Sequence, residues 1–332
     1  MYRILMALAF AGAVGACATS GGDNNDTPVG SDQFDGVGSG AQPLIDEPEP
    51  ESETPDADPD PATSPNVYAT EANGDLTMND VDFDPATGEL VLNNMPFDGS
   101  DNLYMRDAGT SAALNTATGT DFDVYRNVAG PSNYYAVFRR SPNGFAHVAA
   151  AGTDRYVSFG FGGAGAERLS GSGALPRANE EYVFNGEYAA VRTIIDPDTG
   201  SRVQYVAGTS RIQVDIEDLD DTGAVEGVIV DRRFFDANGV QINALDDVDF
   251  ISLATSQINF DNWTIDSSSA SVIQSNEVKA TGTWEGLLAG PNGEEVAGIV
   301  VVEGTGPVGI DPATGDLIEV SVRESGTFVG TR

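Results

Sequence analysis

The residues of this chain whose types and spacing could do chemistry fall into a few sets. Cys17, the only cysteine, closes the segment Val14-Gly15-Ala16-Cys17. Small residues there let a signal peptidase seat the chain, and cleavage before Cys17 exposes a thiol for acylation. Asp198-Thr199-Gly200 and Asp221-Thr222-Gly223 are two copies of a tripeptide suited to two-carboxylate hydrolysis. That chemistry needs two carboxylates sharing one proton on buried loops, whereas these copies fall close together in one run of hairpins. Asp218-x-Asp220-x-Thr222-Gly223 fits the first half of a calcium loop, with Asp218, Asp220 and Thr222 as ligands. The bidentate glutamate of a complete loop falls on Ile229, which leaves an incomplete calcium turn or a plain acidic hairpin tip. Asp246, Asp247 and Asp249 give a similar, weaker signal. His147, the only histidine, is either an axial haem ligand or an ordinary strand residue. One histidine and a cysteine committed to lipid exclude His/Cys zinc sites and a Ser-His-Asp triad in the C-terminal half. Ser158 to Gly165 contains Gly-x-Gly without a βαβ context, so it reads as a glycine-rich strand ending rather than a phosphate loop.

The elements that position these residues begin with an export signal. Arg3 precedes an uncharged apolar run, Ile4 to Ala13, shorter than the ~20 residues a spanning helix needs. Residues 1–16 are therefore expected to be removed and Cys17 to carry lipid; the alternative is ordinary cleavage after Ala16 that leaves a free thiol. Residues 17–65 lack hydrophobic periodicity and include a Pro/Asp/Glu tract from Pro43 to Pro65. Such composition buries too little apolar area to offset chain entropy, which predicts a disordered tether. As a random coil its ends would lie ~40 Å apart. A binding role for this acidic tail is the sharper alternative.

From about Val67 the texture is that of short alternating strands. Ile212, Val214 and Ile216 share one face of Arg211–Glu217, and Ile318, Val320 and Val322 repeat the pattern. Gly282, Trp284, Gly286 and Leu288 share another face, the glycines relieving crowding in a curved sheet. Asp84-Pro85-Ala86-Thr87-Gly88 and Asp311-Pro312-Ala313-Thr314-Gly315 match residue for residue, and Asp196-Pro197-Asp198-Thr199-Gly200 differs at one position. In each, Asp accepts from the backbone, Pro presets φ and Gly takes the φ > 0 position of a turn. No stretch of about 12 residues reads as a helix. The expectation is an all-β protein: an eight-stranded antiparallel barrel over 176–332, because closure removes exposed edges. A smaller sheet over 66–175 precedes it, with strands at Gly88–Leu92, Phe122–Arg126, Tyr134–Arg139, Phe145–Ala149 and Arg155–Gly160.

A net charge of −36 excludes nucleic acid as a partner, since a phosphate backbone is bound by basic surface. It also opposes lying flat on an anionic membrane, and self-repulsion favours a soluble monomer.

Three segments carry a resemblance to a known family: Gly282-Thr283-Trp284, then Gly290-Pro291-Asn292-Gly293-Glu294-Glu295-Val296-Ala297-Gly298, then Glu324-Ser325-Gly326-Thr327-Phe328-Val329-Gly330. They resemble the closing strands of the transferrin-binding protein B β-barrel, found also in other surface lipoproteins such as the complement factor H-binding protein. Phe184 to Val191 looks like that barrel's opening strand, and Gly208 to Glu217 like its Gly-x-Ala-x-Leu-x-Val-Asp-Phe strand. The family often has alanine where Gly293 stands and an aromatic where Ile299 stands. The resemblance covers roughly 176–332 and implies an eight-stranded barrel with a handle-like domain beside it. The quoted residues are architectural, and no ligand residue carries over.

The leading expectation is a non-enzymatic, lipid-anchored outer-membrane protein, displayed at the cell surface, that binds a protein or a solute such as an iron carrier or haem. The alternatives are a structural or adhesive envelope protein, and an aspartic-type hydrolase. Calcium is the only cofactor with any sequence signal. Lipidation is directly testable: wild type should yield a mature N-terminus carrying an acylated Cys17, and Cys17→Ser should abolish it. An unmodified Cys17 thiol in the mass spectrum would contradict the assignment.

Overall fold

The computed structural model describes residues 66–68, 78–99, 102–156, 158–176, 181–216 and 223–332. They form an open eight-stranded sheet followed by a closed eight-stranded antiparallel barrel. The strands of the first sheet are β1 (Asn66–Tyr68), β2 (Asp80–Asp84), β3 (Glu89–Asn93), β4 (Leu103–Arg106), β5 (Asp123–Asn127), β6 (Tyr135–Arg140), β7 (Ala146–Gly152) and β8 (Gly162–Arg168). Their spatial order is β1-β8-β7-β6-β5-β4-β3-β2. The barrel runs through β9 (Glu181–Asp196), β10 (Gly200–Asp215), β11 (Ala224–Asp236), β12 (Phe250–Asn259), β13 (Thr264–Gln274), β14 (Glu277–Ala289), β15 (Glu295–Ile310) and β16 (Leu317–Thr331), and β16 pairs back with β9.

The turn signatures act as read. Ala86, Asp198 and Ala313 each donate a backbone N–H to the Asp two residues earlier, at 2.7, 2.9 and 2.8 Å. Gly88, Gly200 and Gly315 take φ of 74°, 86° and 78°. These three turns join β2–β3, β9–β10 and β15–β16.

The barrel interior is an apolar core with ions in it. Ile212, Val214 and Ile216 point inward, as their alternation requires, beside Phe184, Trp284 and Phe328. The Trp284 indole N–H donates to Ala254 O at 2.9 Å. The Gly-x-Phe-x-Gly ending has a steric cause: a Cβ on Gly326 would collide with the Tyr188 ring, and one on Gly298 with Phe328. At the centre Arg232 forks onto Glu324, at 2.6 and 2.5 Å, and also pairs with Asp249. Tyr188 Oη donates to Glu324 at 2.6 Å, and Arg192 donates to Pro307 O at 2.8 Å. Burial works against the Arg232 charge, but Asp249 and Glu324 more than offset it and raise its pKa.

A second core is shared between the two sheets. Ala146, Val148, Ala150, Ala164 and Ala166 of β7 and β8 pack on the outward faces of Val191, Leu287, Ala297, Ile299 and Val301. Polar clamps frame it. Glu295 is fully buried and accepts from the backbone of Asn143, at 2.6 Å, and of Phe145, at 3.0 Å, and from the Ser141 hydroxyl. Arg168 donates to Leu288 O and Asn262 O, both at 2.8 Å.

Three local expectations are corrected. A helix, α1 (Ala108–Thr118), is present, capped by the Asp107 side chain on Thr110 N–H at 3.0 Å and ended by Gly119 at φ 72°. Its small side chains carry no 3.6-residue apolar stripe, only Leu114 among buried Thr and Ser. Arg155–Gly160 is a loop, not a strand: Tyr156, Ser158 and Gly160 take φ of 76°, 58° and 71°, which a ladder cannot accommodate. The strand begins instead at Gly162, so the Gly-rich run opens a strand rather than ending one. Ile318 is 40% exposed although Val322 is buried, because only the second half of β16 lies over the packed core.

The central ion group predicts asymmetric sensitivity. Glu324→Ala strands two buried arginines and should cost about 3–5 kcal/mol. Ser321→Ala, on the exposed part of the same strand, should stay within about 0.5 kcal/mol. Denaturant unfolding of the two variants checks this; similar losses would show that the network does not bear on stability.

Candidate functional site

The sequence candidates separate in space. Cys17 and the calcium-turn candidates Asp218, Asp220 and Thr222 lie outside the described residues, as does Asp221. Asp198 sits in the β9–β10 turn, where the Thr199 hydroxyl donates to Asp196 at 2.6 Å, so this tripeptide does turn chemistry. Asp246 and Asp247 pair with Arg233, and Asp249 with Arg232, which uses those carboxylates internally. Among the described residues, no group of three or more His, Cys, Asp or Glu side chains is arranged to hold a metal.

His147 lies on β7 directly opposite Glu167 on β8, with Nε2 2.9 Å from Oε2. Both are buried, His147 edge-on to the Phe138 ring, and Glu167 also accepts from Val81 N–H of β2 at 3.4 Å. His147 is thus a strand residue in a closed pair, not an open ligand.

The side chains best placed to meet a partner are ones the sequence did not single out. The β3–β4, β5–β6 and β7–β8 loops emerge at one end of the first sheet, as the register of Tyr104 with Asn127 and Tyr135 with Gly152 requires. Asn127 organises them: its Nδ2 donates to the carbonyls of Asp98, Ala129 and Ser132 at 2.8, 2.7 and 2.7 Å, while its Oδ1 accepts from Tyr134 N–H at 2.8 Å. Tyr134 Oη donates to Pro96 O at 2.8 Å, and Tyr104 Oη to the buried Asp98 carboxyl at 3.1 Å. Burial raises the Asp98 pKa, with the Tyr104 hydroxyl opposing.

This polar weave holds two aromatic residues in the open. Phe97 is 57% and Tyr156 48% exposed, and their ring centroids are 5.2 Å apart. Tyr156 packs in turn on Phe161 at 5.4 Å and bonds Ser132 through its hydroxyl. Phe97 and Tyr156 both hold positive φ, 66° and 76°. Such a backbone costs of order 1–3 kcal/mol per bulky residue and persists only where its surroundings impose it. Val128, 56% exposed, sits in the neighbouring loop. The chain enters at the opposite end of the sheet, since Asn66 pairs with Glu167 at the far end of β8. Aromatics in irregular loops have no periodicity, which is why the sequence pattern did not isolate them; Pro96-Phe97-Asp98-Gly99 is the only local signal.

No protein-family model matches this sequence, and no curated protein matches it. In structure the chain is similar to a transferrin-binding protein B double mutant (Tyr-167-Ala and Trp-176-Ala) from Haemophilus parasuis, at 12% identity and a TM-score of 0.36, over 73% of this chain and 40% of that one. It is similar also to the apo haemoglobin receptor HpuA from Kingella denitrificans, at 14% identity and a TM-score of 0.34, over 76% of this chain and 81% of that one. A third is a surface lipoprotein, at 14% identity and a TM-score of 0.29, over 56% and 75%. The chain spans less than half the length of the first of these.

The buried pair gives a pH prediction. Burial pushes Glu167 up to about 7 and, with Arg140 nearby, His147 down to about 4. The Glu167 contribution is full below its ordinary 4.5 and is lost as pH rises through about 7. The His147 contribution is full above its ordinary 6.5 and is lost as pH falls through about 4. In wild type the two drifts oppose each other. Relative to wild type, His147→Asn should lose melting temperature as pH rises from 4.5 to about 7. Glu167→Gln should lose it as pH falls from 6.5 to about 4. Drifts of the same sign in both variants would contradict the pairing.

Proposed function

We propose that this protein is a lipid-anchored binding module of the bacterial cell envelope, non-enzymatic, whose first sheet presents a preorganised aromatic loop face to a protein partner. The observation that carries the reading is the Phe97–Tyr156 ring contact, exposed and held at positive φ by the Asn127 weave. Exposed aromatics fixed before contact act as anchors, because little side-chain entropy remains to be lost on binding. The lipobox at Val14–Cys17 supports attachment to the outer membrane. A protein partner fits better than a buried solute such as haem, since the aromatics project outward and His147 is committed to Glu167. The domains follow the same division: residues 66–175 form the handle-like module and 176–332 the supporting barrel.

The decisive comparison is affinity capture by wild type and by a Phe97→Ser/Tyr156→Ser double variant of equal melting temperature. A species held by wild type and weakened at least about 30-fold by the variant, roughly 2 kcal/mol at a hot spot, is the expected result. Undiminished capture by the variant would place the binding face elsewhere.

A further inference from the structure

A second concave surface lies on the outer wall of the barrel, sharing only the β7–β8 loop with the loop face. The outward side chains of β13 to β16 form a groove of about 980 Å³ beneath the loop that carries Phe159. Register sets Ser269 beside Thr283, Ser271 beside Thr281 and Thr305 beside Ser321, so hydroxyls from four strands converge on it. Glu303 stands between Thr281 and Arg323 on adjacent strands, and its carboxylate is 2.8 Å from the Arg323 guanidinium. That guanidinium lies 4.9 Å from the Phe159 ring centroid, so the β7–β8 loop walls one side.

The lining selects its guest. On a chain of charge −36 this groove holds one carboxylate, Glu303, and it is paired with an arginine. A free anion is repelled by the rest of the molecule, and a cation finds the carboxylate already paired. An extended peptide cannot add as a strand, since barrel closure uses the wall's backbone groups. The lining mixes these hydroxyls with apolar Val301, Ile195 and Phe159, a match for a guest with both polar edges and apolar faces. Short hydroxyls that both donate and accept, beside planar carboxylate and guanidinium groups, match a polyhydroxylated chain. The groove is at the upper end of the range of small-ligand sites, roughly 300–1,000 Å³, large enough for several linked rings. We propose that it binds a neutral oligosaccharide.

The mature chain would be titrated with maltohexaose, cellohexaose and chitohexaose while backbone amide shifts are followed. Saturable shifts on β13–β16 with at least one of the three are expected. Thr281→Val combined with Thr283→Val should weaken that binding about tenfold or more. Val128→Ser, in the β5–β6 loop, should leave it unchanged, which separates this site from the loop face. Valine is isosteric with threonine and both positions are exposed, so the fold should persist; if the melting temperature falls, Ser271→Ala with Ser321→Ala gives the same readout. Absence of shifts with all three sugars at ~10 mM, well above any useful affinity, would overturn the proposal. So would shifts mapping outside the groove, or equal binding by the hydroxyl-deleted variants.

Discussion

The structure depends on one apolar layer that belongs to neither sheet alone. The first sheet is too small to bury its alanine-rich face on β7 and β8 by itself, and the barrel carries matching residues on its outside. Along β15, Val296 to Val302 is buried throughout, inward residues in the barrel core and outward ones in the shared layer. Removing that contact would expose two apolar faces to water at once, each square ångström costing about 25 cal/mol. The flanking Glu295 and Arg168 clamps then fix how the sheets sit, since each ties one sheet's side chain to the other's backbone. A loop face can be rigid only because the sheet beneath it is held in this way.

The barrel interior shows how a closed β-core accepts charge. Arg192 and Arg232 bring two positive charges, and Glu324 and Asp249 two negative ones, all nearly inaccessible. Desolvation of such a set is expensive, and only complete pairing with added hydrogen bonds offsets it. Tyr188, Gln204 and the Pro307 carbonyl supply most of those bonds, leaving Arg192 Nε and Arg232 Nε without one, and both guanidiniums lie 5.2 Å from the Phe234 ring. The network joins β9, β11, β16 and the segment before β12, which ties the register of distant strands to a single charge arrangement.

Much of the architecture was legible in the residues, and the exceptions share a cause. The Asp-Pro-x-Thr-Gly turns, the inward face of Ile212–Ile216 and the Gly326–Phe328 packing follow from local rules of conformation and alternation. The same rules misplaced β8, because the positive-φ loop before it is imposed by contacts distant in sequence, and missed α1, whose stability comes from its caps and its seat on β5. The Phe97–Tyr156 face was invisible for a related reason. Its two residues are far apart in sequence and are brought together by Asn127 bonds to three carbonyls, a tertiary fact with no periodic trace. Asp198-Thr199-Gly200 carried a signal that the structure uses in a turn, and Asp246, Asp247 and Asp249 one that it uses in ion pairs.

The first sheet and the barrel act as one cooperative body, rigid enough to hold strained aromatics in the open. Native-state hydrogen exchange tests this most directly, by comparing amides of β7, on the first sheet, with those of β14 and β15, on the barrel. If the shared layer governs both, these amides should open together with the free energy of global unfolding. Exchange of β7 through a separate, lower-energy opening while β14 and β15 stay protected would show two independent bodies and contradict the account.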